Sequence, residues 1–336
     1  KVTWASGVDL KTGRPIEYPD IRYEKGPLVL WPGTYGVHNW QPMSFSQRTG
    51  LLYIPTIHQA DAYSAEGVDP KGWEARKDSW NSGMGDVSAV AGEIDPDEFS
   101  SALVAWDPVN RREAWRIATP GIVNGGTMAT AGGLVFQGQM DGTFNAFDAK
   151  NGKKLWSFPA GVSVLGAPIA FSIDGKQYVS VLSGPPSGSP AGNLSGQAVF
   201  GWRYDHPRRL LTFRLDGKAK LPKGPAPGPV TPIAGPALST DRQVLVHGED
   251  LYVNRCAACH GVNAMALGGA PDLRASAVPL DAEAFSQVVK QGALLSRSMP
   301  RFVELGASDL FALRAYIRHK ATHSESASQQ KRPAGP

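Results

Sequence analysis

A phrase that occurs twice in the chain constrains its fold more than any other sequence feature. Residues 105–115 and 146–156 both place an aspartate two residues after an alanine and end on a tryptophan, and the aspartates, Asp107 and Asp148, lie 41 residues apart. An apolar strand, a turn at Asp and a second strand ending in Trp describe a hairpin, because an Asp carboxylate bonds the turn backbone and Trp packs against a neighbouring unit. A spacing of about 40 residues with several strands per unit predicts a β-propeller.

Further strand and turn patterns agree with this plan. A weaker copy of the phrase lies at residues 7–13, and strand–turn–strand patterns cover residues 43–55, 126–138 and 167–182. Residues 58–100, rich in Gly, Ser, Asp and Glu, interrupt the period and are predicted to form a long loop on one rim. The alternative is a β-sandwich with coincidental turns, but the repeat favours the propeller.

Composition and periodicity divide the chain into a β part and a helical part. Its 336 residues suggest about two domains, and its 38 Gly and 27 Pro favour short strands and tight turns. Helical periodicity appears only in residues 247–259, 281–291 and 307–320. We predict propeller blades over residues 1–204, a Pro/Gly-rich linker over 205–240, a small all-α domain over 241–325 and a disordered tail over 326–336.

Two bulk properties exclude classes of partner. No stretch approaches the ~20 apolar residues that a membrane-spanning helix needs. The net charge is only +4 and the Lys and Arg residues are scattered, whereas a nucleic-acid-binding protein usually shows a basic stripe. We therefore expect neither a transmembrane segment nor a nucleic-acid partner.

Both cysteines of the chain stand in one short motif, Cys256-Ala257-Ala258-Cys259-His260. A C-x-x-C-H motif attaches haem c, because on a helix the two cysteines share a face and can form thioethers to two vinyl groups while the histidine ligates the iron. A redox C-x-x-C normally accompanies a βαβ pattern, and a zinc site needs about four ligands; neither condition is met. We predict a covalent haem c with Cys256 and Cys259 as its thioether residues.

The second axial ligand of the iron is expected downstream of this motif and should be soft. Met299 is the candidate, because Pro300 stiffens its loop and a thioether raises the reduction potential relative to two histidines. Met265 is nearer in sequence but follows the attachment helix too closely to reach the opposite haem face. A Met packed in the core is the alternative role for Met299. We predict His260 and Met299 as the axial ligands of the haem iron.

Taken together, these features resemble the quinohaemoprotein alcohol dehydrogenases, periplasmic enzymes that use pyrroloquinoline quinone (PQQ) and calcium. The resemblance covers nearly the whole chain: propeller phrases with docking tryptophans, a Pro-rich linker and a haem c domain. Its carriers are residues 4–9, 38–45, 126–138 and 141–148. It implies a mainly β propeller, eight-bladed in the family and partial here, followed by a small all-α cytochrome c domain.

The resemblance also implies a quinone pocket. The Asn–Trp pair of the family lies against the quinone and corresponds to Asn39 and Trp40, which offer an amide donor, an indole N–H and a flat apolar face. A blade-core Trp beside a turn Asn is the alternative. The catalytic Asp, the calcium ligands and the adjacent Cys pair of the family have no visible counterpart, and about three to four blades fit before the linker. The chain therefore looks like the C-terminal half of such an enzyme, with no catalytic residue visible.

The implied reaction is PQQ-dependent oxidation of an alcohol to an aldehyde. Electrons would pass through haem c to an external acceptor, such as a soluble cytochrome, a copper protein or a membrane quinone system. A periplasmic location follows from the same resemblance, and this chain would supply part of the quinone pocket and the whole haem relay. Two alternatives remain open: an electron-transfer cytochrome c module on an incomplete, catalytically inactive propeller, and a binding or structural protein on a degenerate propeller that has lost catalysis.

Overall fold

A computed structural model of the chain describes residues 1–69, 71–74, 83, 85, 87, 90, 93–95, 98–184, 208–222, 231–264 and 270–323. The described residues fall into two compact units. A mainly β unit contains residues 1–69, 98–184 and 208–222, and a helical unit contains residues 231–264 and 270–323. The predicted tail over 326–336, and parts of the predicted loop and linker, lie outside the described residues.

The β unit is a set of antiparallel sheets with the topology of propeller blades. Strand β1 (Ala5–Val8) pairs with β2 (Pro15–Glu17), and β3 (Leu28–Leu30) pairs with β6 (Asp61–Tyr63). Blade A consists of β4 (Ser44–Ser46), β5 (Leu51–His58), β7 (Ser100–Asp107) and β8 (Arg112–Thr119). Blade B consists of β9 (Asn124–Ala129), β10 (Leu134–Gln139), β11 (Thr143–Asp148) and β12 (Lys154–Pro159). Blade C consists of β13 (Ile169–Ile173), β14 (Lys176–Ser183) and β15 (Arg209–Arg214). Each blade is a meander of neighbouring strands, which confirms the predicted partial propeller.

The two faces of blade B carry separate apolar cores, because side chains alternate along its strands. One face packs Val135 and Phe147 against Tyr53 and Leu103 of blade A. The other face packs Phe144 against side chains of blade C that include Val181 and Leu211. Burial of apolar area between successive blades is therefore what joins them.

The repeated phrase folds as predicted, with its aspartate bonded to the turn that follows. Asp107 Oδ1 accepts hydrogen bonds from the backbone N–H groups of Val109 and Asn110 at 3.0 and 2.9 Å. Asp148 Oδ1 accepts one from the N–H of Lys150 at 2.8 Å. The side-chain amide and backbone N–H of Asn110 hold the pKa of Asp107 below its ordinary value. The carboxylate thus supplies the turn in both hairpins.

The fourth residue after each aspartate has a positive φ. Gly13, Arg111 and Gly152 have φ values of 70°, 55° and 74° in the three copies of the phrase. A positive φ costs glycine nothing and costs other residues free energy, so only the Arg111 copy carries strain there. The weak copy at residues 7–13 therefore forms the same turn as the two strong copies.

The tryptophan that ends each phrase contacts the next blade. Trp115 of blade A donates its Nε1–H to the carbonyl of Ala149 at 3.2 Å, and a Cβ added to Gly152 would lie 2.8 Å from Trp115 Cε3. Trp156 of blade B packs edge-on against Phe213 of blade C, with ring centroids 5.3 Å apart. The tryptophan therefore ties one blade to the next, as the sequence predicted.

Truncation of this docking residue should destabilise the β unit. We expect Trp115→Ala to lower the free energy of unfolding by about 2 kcal/mol, below the usual cost for a fully buried aromatic residue because Trp115 is only partly buried. Thermal unfolding followed by circular dichroism measures the change. Trp73→Ala, at a tryptophan that is 48% exposed, is the matched control and should leave the midpoint unchanged. Equal midpoints for both variants would rule out docking as a stabilising contact.

Two strands lie where the sequence indicated irregular chain. Strand β6 falls inside the predicted loop over 58–100 and exists because it pairs with β3, with Leu28 opposite Tyr63. Strand β15 falls inside the predicted linker over 205–240 and pairs with β14, where Leu211 is buried. The strand is only six residues long and adjoins a Pro/Gly-rich stretch, so its apolar alternation was too short to predict a strand.

The helical unit contains four α-helices: α1 (Arg242–Arg255), α2 (Ala257–His260), α3 (Ala282–Val289) and α4 (Ala307–Thr322). Asp241 and Asp281 cap α1 and α3 by accepting hydrogen bonds from Gln243 N and Ala284 N, both at 2.8 Å. Helices α1 and α4 cross at Gly248, where backbone meets backbone. Within the described ranges, none of the helices combines the length and hydropathy that crossing a bilayer requires.

Candidate functional site

The two cysteines and the histidine of the motif lie on one helical turn. Cys256 is the C-cap of α1 and the N-cap of α2, and its carbonyl accepts hydrogen bonds from the N–H groups of Cys259 and His260 at 3.1 and 2.9 Å. Cys256 is buried and Cys259 is exposed. Burial raises the pKa of the Cys256 thiol to about 12. The turn therefore presents one sulfur to the apolar core and the other toward the surface.

His260 is buried with one ring nitrogen already engaged. Its Nδ1 lies 2.8 Å from the carbonyl oxygen of Pro271, and only 6% of the residue is exposed. A carbonyl accepts but cannot donate, so Nδ1 carries the proton and Nε2 keeps its lone pair for a metal. Burial lowers the pKa of His260, which favours the neutral imidazole. The role of Pro271 could not be predicted from the sequence, because any residue type can supply a backbone carbonyl as acceptor.

Met299 lies against the apolar core that includes Cys256. The core of the helical unit also contains Leu251, Tyr252, Phe285, Phe302 and Leu313. Met299 is partly buried against this core and follows Ser298, whose φ is 64°. Its N–H donates to the carbonyl of Leu294 at 3.3 Å, which closes the loop that carries it. Met265, which the sequence disfavours as a ligand, lies outside the described residues.

Asn39 and Trp40 lie in the β unit on an exposed turn. Asn39 Oδ1 accepts the N–H of Trp40 at 2.8 Å, and Asn39 Nδ2 donates to the carbonyl of Tyr35 at 3.0 Å. The Trp40 residue is 56% exposed. Trp40 is therefore not packed in the core of a blade in the described structure. Asn39 does form turn hydrogen bonds, as the alternative interpretation of this pair expected.

Strand β9 of blade B holds this turn in place. The carbonyl of Pro42 accepts the N–H of Thr127 at 2.8 Å. A Cβ added to Gly126 would lie 2.5 Å from Pro42 Cδ, so only glycine permits this approach. The Asn39–Trp40 pair thus stands beside the first strand of blade B.

The side chains of both regions suit flat redox cofactors. In the helical unit, an imidazole nitrogen with a free lone pair, two thiols on one turn and a thioether match the donor set of a haem c. In the β unit, the exposed indole face of Trp40 can stack on a planar quinone. Among the residues that the structure describes, no group of three or more His, Cys, Asp or Glu side chains could hold a metal ion. The described residues therefore suit a haem site and one side of a quinone site, but they contain no set of calcium ligands.

Comparisons with known proteins agree with both regions. Residues 106–179 match the family described as glucose/ethanol/alcohol dehydrogenase, beta-propeller domain, and residues 243–317 match the family described as cytochrome C oxidase, cbb3-type, subunit III. The chain is 40% identical over 333 residues to quinohemoprotein alcohol dehydrogenase ADH IIB of Pseudomonas putida, covering 96% of this chain and 47% of that protein.

Two further relatives are similar over most of the chain. Lupanine 17-hydroxylase [cytochrome c] of a Pseudomonas species is 38% identical over 330 residues, covering 95% of this chain and 44% of that protein. The solved structure of quinohemoprotein alcohol dehydrogenase ADHIIG from Pseudomonas putida HK5 superposes with a TM-score of 0.84 at 33% identity, covering 98% of this chain and 49% of that one. The chain thus spans about half the length of the relatives it matches.

Proposed function

Because the chain belongs to the quinohaemoprotein alcohol dehydrogenase family, we propose that it takes part in PQQ-dependent oxidation of an alcohol to an aldehyde and passes the electrons through haem c to an external acceptor. The single observation that carries the electron-relay part is the geometry at His260, a buried neutral imidazole with one nitrogen engaged and the other available. Alcohol as the substrate class rests on the names of the relatives.

The haem relay belongs to the helical unit. Cys256 and Cys259 bind the porphyrin through thioethers, and His260 and Met299 ligate its iron. The Pro271 carbonyl keeps the proton on His260 Nδ1 and fixes the ring orientation, which makes Nε2 the ligating atom. The apolar core around Cys256 would give a bound haem an environment of low polarity, and this environment and a Met ligand would both favour a high reduction potential.

The β unit supplies part of a quinone site. Trp40 contributes a flat apolar face, and the Asn39 amide contributes an N–H donor at its edge, held by the turn that Pro42 anchors on blade B. When bound, PQQ supplies the two-electron oxidising chemistry. A catalytic base and calcium ligands are assigned to no described residue of this chain. The electron acceptor is proposed to be a soluble cytochrome, a copper protein or a membrane quinone system, and the location is proposed to be periplasmic.

Reduction of the haem by alcohol tests this function. The protein is purified from its own host with haem attached, incubated without oxygen with PQQ and Ca²⁺, and mixed with primary alcohols. We expect alcohol to sharpen the visible bands of the haem only after PQQ is present, and a Trp40→Ala variant to need more PQQ. Haem that responds to dithionite but to no alcohol would overturn the dehydrogenase function and leave an electron-transfer module.

The assignment of Met299 has its own test. Loss of the thioether should lower the haem reduction potential, because a thioether raises it relative to harder ligands, and should open a site for carbon monoxide on the reduced iron. We expect Met299→Ala to show both effects in potentiometric titration and carbon monoxide difference spectra. Leu295→Ala, at an exposed residue of the same loop, is the control. An unchanged potential without carbon monoxide binding would show that Met299 is not the second axial ligand.

A further inference from the structure

A row of polar side chains crosses blade B from its first strand to its last. In the strand register, Thr127 of β9 lies opposite Gln137 of β10, Gln137 opposite Asn145 of β11, and Asn145 opposite Ser157 of β12. Directly opposite residues of antiparallel strands point to the same face of a sheet. The first three side chains are buried, and Ser157 is exposed. The row therefore links the interior of the propeller with its outer surface.

Two amide oxygens in the middle of this row have no hydrogen-bond donor among the described residues. Gln137 Nε2 donates to the carbonyl of Gly125 at 3.0 Å, so its Oε1 is the free atom. Asn145 Nδ2 donates to Thr143 Oγ1 at 2.8 Å, which leaves Oδ1 without a partner. Both residues are fully buried. A buried acceptor without a donor is costly, and its usual partner in proteins is an ordered water molecule.

The inner end of the row reaches the turn that carries Trp40. Thr127 Oγ1 lies 3.2 Å from the Pro42 carbonyl and 2.8 Å from Ser44 Oγ. Gln41, between Trp40 and Pro42, is 1% exposed, and its Oε1 also lacks a donor among the described residues. Unpartnered acceptors thus recur from the residue next to Trp40 to the third strand of the blade.

We propose that this row, Thr127, Gln137, Asn145 and Ser157, together with Gln41 at its inner end, binds a file of buried water molecules that carries protons from the quinone site to the surface. Water fits this row because its side chains are neutral amides and hydroxyls. A buried cation would need a carboxylate to balance its charge, and the row contains none. The water file as a binding site stands on the structure alone, whereas its role in proton exit rests on the proposed function.

The proposed reaction requires such an exit. Oxidation of one alcohol to its aldehyde breaks one C–H and one O–H bond and yields two protons and two electrons. The electrons leave singly through the haem to a one-electron acceptor, but the haem carries no protons. Both protons must therefore reach bulk water by a route other than the haem. Hydroxyl groups and ordered waters can pass them along the row and release them at Ser157.

A crystal structure of the haem-loaded protein at high resolution tests the water site independently of activity. We expect ordered waters within hydrogen-bond distance of Gln137 Oε1 and Asn145 Oδ1, and their loss in Asn145→Leu. Gln137→Met provides a second variant if the first does not fold. A dry row, or amide oxygens bonded to other protein groups, would overturn the water site and with it the proton path.

Stopped-flow measurement tests the proton path in the same protein. A pH indicator records proton release after alcohol is added, and the haem bands record electron arrival. We expect both variants to release protons several-fold more slowly, with a larger solvent isotope effect. Gln59→Leu, which removes a buried amide outside the row, should leave the timing unchanged. Haem reduction without any delay of protons in the row variants would refute the path, whereas no haem reduction in the unmodified protein would refute the proposed function instead.

Discussion

A chain in which both Cys256 and Cys259 are replaced by alanine is expected to retain no haem after denaturation. The reason is chemical: each thioether needs one sulfur, and these are the only two cysteines among the 336 residues. An iron–imidazole bond from His260 is lost when the chain unfolds, whereas a thioether survives. Material matured in a host that attaches haem c should stain for haem on a denaturing gel when unmodified and should not stain when both sulfurs are absent.

Single variants sharpen this result. Cys256→Ala and Cys259→Ala each leave one sulfur, so we expect reduced staining and a shifted haem spectrum because one vinyl group stays unsaturated. Asn254→Ala, two residues before the motif on α1, should stain like the unmodified chain. Among the described residues, its side-chain amide donates to Asp250 of the same helix. Equal staining of the double variant would show that the porphyrin is held by other means, and the electron-relay function would lose its support.

The parts of the fold that could be predicted are those that local chemistry determines. The turns of the hairpin phrase could be predicted because the hydrogen bonds at Asp107 and the positive φ at Gly152 follow from residues close together in sequence. The tryptophan at its end indicated a docking contact, although the partner of Trp115, Ala149, lies 34 residues later. The helices predicted at 281–291 and 307–320 correspond to α3 and α4 for the same reason. The first helix begins at Arg242, before the predicted 247, because the Asp241 side chain caps it there.

The remainder depended on distant partners. Strand β6 exists through its pairing with β3, which lies some thirty residues earlier, and no local pattern reveals such a pairing. In the candidate site, the motif predicted the residue types at Cys256, Cys259 and His260, but the acceptor that orients His260 is the backbone carbonyl of Pro271. The position of the turn that carries Trp40 could not be predicted either, since Pro42 is held by Gly126 and Thr127 of strand β9, more than eighty residues later.

Replacement of Gly248 by valine is expected to unfold most of the helical unit. A Cβ at this position would lie 2.1 Å from the carbonyl oxygen of Ala312 and 2.9 Å from Tyr316 Cβ, so α1 and α4 must separate to admit it. Overpacking of this kind costs about 3 kcal/mol or more when the obstacle is backbone, because no side-chain rotation relieves it. Glycine is a poor helix former, but the gain from any replacement is at most about 1 kcal/mol and does not offset the clash.

The Gly248→Val substitution should disturb haem attachment as well as the fold. Helix α1 carries Leu251 and Tyr252 into the core and has Cys256 as its C-cap, so its displacement moves the first thioether residue. A loss of about 3 kcal/mol should lower the thermal midpoint of such a small domain by more than about 10 °C. Gly306→Ala, where the nearest atom would be 3.5 Å from the added Cβ, is the matched control and should cost under about 1 kcal/mol. Calorimetry of both variants measures the difference. A Gly248→Val protein with an unchanged midpoint and full haem content would mean that the two helices do not cross at this glycine.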